Sequence, residues 1–120
     1  MNKMQALHAF WSSFGLPAYD ETSVPDGAQL PYITYEVSSD DFGNIVPQVA
    51  SLWYRSMSWI DITEKEMQIS DFIGRGGRTL RYNGGAMWIS KGSPWAQRMS
   101  DESDDMIRRI VMNIQVEFLD

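Results

Sequence analysis

Between Met106 and Leu119 apolar side chains fall on every second position: Met106, Ile110, Met112, Ile114, Val116 and Phe118 share the even set, interrupted by Arg108. The odd set turns polar in its second half, through Asn113, Gln115 and Glu117, so the run carries the two-residue period of a half-buried strand. A single apolar face of that length needs neighbouring strands and a covering layer. The segment is therefore the expected spine of one sheet. At the other end of the chain the spacing is helical. Met4, Leu7, His8, Trp11 and Phe14, joined by Phe10, predict a helix over 3–14 with Asn2 as its cap and Gly15-Leu16-Pro17 as its stop.

The middle of the chain alternates between strand and turn chemistry. Residues 17–31, rich in Pro, Asp, Ser and Gly, predict a loop, and Leu30-Pro31 then opens an alternating strand over 30–37. Residues 38–47 have turn composition without period, and 49–60 predict a second long strand. Its odd face reads Val49, Ser51, Trp53, Arg55, Met57, Trp59 and its even face Ala50, Leu52, Tyr54, Ser56, Ser58, Ile60. With large apolar groups on both sides, either helices cover both faces or another subunit lies on one. Thr63 and Glu66 have capping-box spacing and Ile62 and Met67 staple spacing, predicting a helix from Thr63 through Ile69, Phe72 and Ile73 to Gly74. Thr79–Tyr82 and Ala86–Lys91 flank Asn83-Gly84-Gly85 as a β-hairpin, Gly92-Ser93-Pro94 turns the chain again, and Trp95–Met99 has no clear pattern. The order gives an α+β fold over residues 1–120 as a single domain. Its largely antiparallel sheet has about four to five strands, with two helices packed on one face and a long loop between the first two strands.

Composition changes this picture little but narrows the chemistry. The net charge of −6 opposes general nucleic-acid binding. The absence of cysteine excludes disulfides, thiolate zinc sites and cysteine nucleophiles. No basic region precedes an apolar run at the N-terminus and no segment approaches the ~20 apolar residues of a membrane span, so neither export nor insertion is expected. The single histidine, His8, lacks a neighbouring carboxylate and reads as a packing or boundary residue. Gly74-Arg75-Gly76-Gly77-Arg78 suggests an anion cradle, but these glycines leave a helix where a phosphate loop enters one, so they read as cap and turn residues. The acidic run Asp101-Glu102-Ser103-Asp104-Asp105 lacks the ligand spacing of a calcium loop and reads as solvated. No catalytic residue, metal ligand or cofactor site is predicted.

What remains is surface. Phe42 and Ile45 are large apolar residues in a turn-rich loop, which either folds back on the body or protrudes as a tip touching a neighbour. Trp53, Arg55, Met57 and Trp59 place aromatic, cationic and flexible groups in one row, types that recur at protein contacts. Arg75, Arg78, Trp88, Trp95 and Arg98 complete the candidate subunit or partner interface.

The order of segments resembles the small tail-terminator and tail-completion proteins of long-tailed bacteriophages. The resemblance lies in the helix ending Trp11-Ser12-Ser13-Phe14-Gly15, then Leu30-Pro31-Tyr32-Ile33-Thr34-Tyr35, the helix ending Phe72-Ile73-Gly74, the Gly-rich hairpin and the final alternating strand. It implies a structural, non-enzymatic virion protein assembled in the host cytoplasm. Such a protein forms a ring with copies of itself, a homohexamer by analogy, that caps the head-proximal end of the tail tube. Its partners would be the tail tube protein and a neck or connector protein, with no membrane and no sequence-specific nucleic acid, although DNA would pass through the lumen. A head-side stopper or head-completion protein is the alternative. A small monomeric binding module, or a hydrolase using carboxylates with Arg75, Arg78 or Arg98, stands further off.

Overall fold

A computed structural model describes residues 1–40, 42–101 and 103–119. Helix α1 (Lys3–Ser12) is followed by β1 (Ala18–Asp20), β2 (Tyr32–Tyr35), β3 (Ile45–Arg55), helix α2 (Ile60–Ile73), β4 (Arg78–Tyr82), β5 (Gly85–Ser100) and β6 (Ile107–Phe118). One six-stranded sheet runs β1-β2-β3-β6-β5-β4, antiparallel throughout except for the parallel pair β1/β2. The α+β class and the central final strand are as the alternation predicts. The four-to-five-strand expectation is too small, and β5 is longer than expected. Three residues inside the predicted 17–31 loop pair with β2 as an edge strand. The chain also does not turn away at Gly92-Ser93-Pro94. It bulges there, and Ala96–Ser100 resume pairing with β6, so β5 absorbs the unpatterned Trp95–Met99 segment.

Local chemistry explains the element ends. Asn2 and Gln5 exchange reciprocal hydrogen bonds of 2.8 Å as a capping box, and Ser13 rather than Phe14 ends α1. The predicted Thr63–Glu66 box does not form, because α2 starts a turn earlier at Ile60. Ser58 Oγ accepts the Ile60 amide at 3.1 Å, Trp59 occupies the cap position without a side-chain bond, and Thr63 Oγ1 is buried inside the first turns without a partner among the described residues. Strand β3 is displaced toward the N-terminus of its predicted 49–60 range, and β2 is shorter than 30–37. Gly74 and Gly77 hold φ of +72° and +85°, so the GRGGR element is a helix stop followed by a tight turn. A Cβ on Gly77 would sit 2.6 Å from the Ile89 carbonyl oxygen and 2.9 Å from Trp88 Nε1. Gly77→Ala is therefore expected to destabilise the fold by about 1–3 kcal/mol, read as a lowered urea midpoint with an unchanged slope.

The even residues of β6, from Ile110 to Phe118, are all buried, and they form one core with Leu7, Phe10 and Trp11 of α1 and Ile62, Ile69 and Ile73 of α2. In β3 the core residues are likewise even, Ala50 and Leu52, with Tyr54 partly buried against them. Helix α1 packs against both β1 and β4, the two edges of the sheet, while α2 lies over β6, β5 and β3. The sheet curls toward its helices, and its other face is left without a covering layer. Phe72 bridges the helices at the rim, 6.1 Å from Phe10 and 5.5 Å from Phe14 between ring centres, and Lys65 Nζ donates to the Phe14 carbonyl at 2.7 Å.

Candidate interaction surfaces

The uncovered face of the sheet is built by odd positions of β3 and β6, by even positions of β2 and, beyond the bulge, by odd positions of β5. Across it, Tyr32 of β2, Trp53 of β3, Arg109 of β6 and Met99 of β5 are register partners in one continuous row. The row is held in place from below and beside. Trp53 Nε1 donates to Thr34 Oγ1 at 2.9 Å, the Arg109 guanidinium lies 4.5 Å from the Trp53 ring centre, and Arg109 Nε donates to Ser51 Oγ at 3.2 Å. Tyr19 of β1 meets Tyr32 edge-on at 5.6 Å, extending the aromatic surface to the sheet's margin. Two tyrosines, a tryptophan, an arginine and a methionine thus share a locked, partly exposed surface of the composition found at contact centres.

The expected row of Trp53, Arg55, Met57 and Trp59 is broken. Strand β3 ends at Arg55, so Met57 and Trp59 lie in the connection to α2. Met57 is 80% exposed, whereas Trp59 turns back onto the core edge between the Arg98 and Arg108 guanidinium groups, 4.8 and 5.3 Å from its ring centre. Arg108 also donates to the Asp105 and Met57 carbonyls, and Arg55 pairs with Asp104 at 2.9 Å in a largely solvated ion pair worth little by itself. Ser103 donates its hydroxyl and amide to Asp101, holding that carboxyl below the usual carboxylate range, so local bonds organise the acidic run. Glu102 lies outside the described residues.

The other sequence candidates scatter. Phe42 and Ile45 stand 68% and 58% exposed at the junction between β2 and β3, where Gly43 N donates to the Phe118 carbonyl and Gln48 Nε2 to that of Ser38. The loop is shorter than expected because Ile45 and Val46 already pair with β6. Arg78 stacks on Phe72 at 4.5 Å and donates to its carbonyl, and Arg75 is exposed. Trp88 lies over Gly77, and Trp95 packs half-buried against the core near Lys91. His8 is not isolated: its Nδ1 meets the Tyr35 hydroxyl at 2.9 Å and its Nε2 meets Ser12 Oγ at 3.2 Å. Burial, then the nearby Asp20 charge, raises the Tyr35 hydroxyl above its ordinary range. Arg108, Arg109, Tyr19 and Tyr32 escape the sequence reading, since only the strand register sets them beside the tryptophans.

Among the described residues no group of three His, Cys, Asp or Glu side chains could hold a metal ion, and no helix is long and apolar enough to cross a membrane. Neither a family model nor a curated protein sequence matches the chain. A solved structure does. A chain in the virion of a native gene transfer agent particle aligns with a TM-score of 0.60, over 96% of this chain and 90% of that one, at 20% identity. This chain shares its fold with a virion component. At that identity the likeness is one of fold, and it spans nearly all of both chains.

Proposed function

We propose that this protein is a structural component of a phage-like virion, a tail terminator whose ring caps the head-proximal end of the tail tube and docks to the neck. The observation that carries the reading is the match of almost the entire fold to a chain of a gene transfer agent virion. The resemblance of the segment order to that of tail terminators, and the uncovered sheet face with its Tyr32-Trp53-Arg109-Met99 row, support it. A row of this kind needs a partner to remove it from water. A self-associating ring offers one without a second gene product, and a six-fold ring is the symmetry taken from the resemblance. The acidic balance of the chain suits a lumen through which DNA slides without adhering.

A cap on the tube stops its growth. Assembly in the absence of this protein should therefore give tubes running past their normal length beside normally filled heads, seen by negative-stain electron microscopy. Tubes of normal length beside heads that lose their DNA would move the protein to the head side of the joint; normal particles would overturn both readings. In the purified protein, Trp53→Ala should stay folded by circular dichroism while its assembly, followed by native mass, weakens by more than about 1 kcal/mol per contact. Tyr54→Ala removes a ring packed on the core, so it should lose stability first. The reverse pattern would assign the contact to the other face of β3.

A further inference from the structure

The chain carries two surfaces of opposite shape, one at the β4 edge of the sheet and one at the tip before the interior strand β3. Between α1 and β4, an apolar groove of about 310 Å³ is floored by Ala6, Phe10 and Leu80 and walled by the half-exposed Phe72. Its rim is cationic, because Arg81 lines it and Arg78 stacks on the outer wall. Strand β4 is one edge of the sheet. On the far side of β5 and β6, the tip preceding β3 raises Phe42 into solvent, and the residues before it in sequence are Asp40 and Asp41. One chain thus presents an apolar socket rimmed by arginines and an apolar knob beside the Asp40 carboxylate, which accepts a bond from Asn44 Nδ2 at 3.3 Å. With β6 and β5 between them, β3 and β4 lie about 14 Å apart across the sheet at the usual strand spacing.

We propose that Phe42 of one copy of this protein seats in the α1–β4 groove of the next, with Asp40 facing Arg78 and Arg81. Knob and socket are different surfaces, so the contact is head-to-tail and repeats from copy to copy, closing into a ring when the rotation per step divides the circle. Seating the Phe42 ring covers the exposed parts of Leu80 and Phe72, and the charges fix its orientation and reject a reversed partner. The inference rests on the ring reading above and adds to it a second contact between copies, beside that of the sheet-face row.

The test uses the full chain and native mass across a concentration series. Ala9 is exposed on α1 and lines the groove, so Ala9→Trp fills the socket from a solvent-facing helix position without entering the core. Ala9→Trp, Arg81→Asp and Asp40→Arg should each raise the concentration at which rings dissociate by roughly tenfold or more, while the double variant Asp40→Arg/Arg81→Asp recovers assembly. A parent that stays monomeric at every concentration overturns the ring reading itself. A parent that forms rings, joined by an Ala9→Trp variant that forms them equally well, overturns the knob and socket alone. So does a charge-swapped double variant no better than its single variants. If Ala9→Trp rings assemble normally but no longer bind tubes, the groove's occupant is the tube protein and the present assignment is wrong.

Discussion

Trp11→Ala should lower the unfolding free energy by about 3–5 kcal/mol, the largest effect expected of any single truncation in α1. Trp11 is the bulkiest fully buried side chain, 1% exposed, with Phe10 edge-on at 4.8 Å and Phe14 at 6.4 Å between ring centres. Its helix touches both edges of the sheet, so emptying this position removes packing from the place where the curl closes. Trp11 belongs to the single core cluster shared by both helices and the sheet, and where its surroundings cannot fully collapse into the vacancy the cavity term adds to the lost transfer energy. Against a total stability of about 5–15 kcal/mol, the variant should melt far below the parent or fail to fold at ambient temperature. A companion substitution separates shape from polarity. The indole Nε1 is buried without a hydrogen-bond partner among the described residues, so Trp11→Phe loses volume but also removes an unpaired donor worth roughly 1–3 kcal/mol of desolvation. Trp11→Phe should therefore lie closer to the parent than to Trp11→Ala in urea denaturation. Equal losses for the two would show that a phenyl ring restores none of the packing at this position.

Ile114→Ala comes next, at about 2–5 kcal/mol. Ile114 is 1% exposed at the middle of β6, opposite Gln48 on β3 and Lys91 on β5, where the strand has neighbours on both sides and helices above. Gln115, the following residue, points to the uncovered face and is exposed. Its substitution by Ala should stay within about 0.5 kcal/mol, so the pair reads the inside and outside of the strand one residue apart. Loss of amide protection in β6 should accompany Ile114→Ala, and equal midpoints for the two variants would mean that the even face of β6 is not the core.

How far these elements could be read from the sequence depended on how many residues carried each signal. Strand β6 was legible because its alternation persists long enough for the period to be unambiguous, and Asn2 marked the start of α1, although its exchange of bonds with Gln5 was not foreseen. Strand β1 was not, because three residues, Ala18–Asp20, are too few to show a period and only pairing with β2 defines them. The start of α2 misled in an informative way. Thr63 and Glu66 have the spacing of a cap, yet Ser58 supplies the first hydrogen bond and the helix begins before them. Strand β5 was cut short by the turn chemistry of Gly92-Ser93-Pro94, which the fold uses as a bulge. There the path from Lys91 to Ala96 lies opposite only Ile114 to Met112, Gly92 rides over the Asn113 backbone, and Asn113 Nδ2 donates to the Pro94 carbonyl at 3.0 Å. The candidate surface was legible as composition but not as arrangement. Tryptophans and arginines stood out, but nothing local to Trp53 or Trp59 announced that Arg109 would stack on one and Arg98 and Arg108 enclose the other.

The position of β6 has a mechanical consequence. Its hydrogen bonds to β3 and β5 run perpendicular to the strand, and both partners follow it along nearly its whole length. A pull directed along β6 loads those bonds side by side, so they must fail together. The same force applied to β1 meets three paired residues at a margin and peels them one after another. Tension entering through the C-terminal end of the chain would therefore be borne by the stiffest part of the sheet, while the first segment to yield under load on the other side would be the Ala18–Asp20 edge.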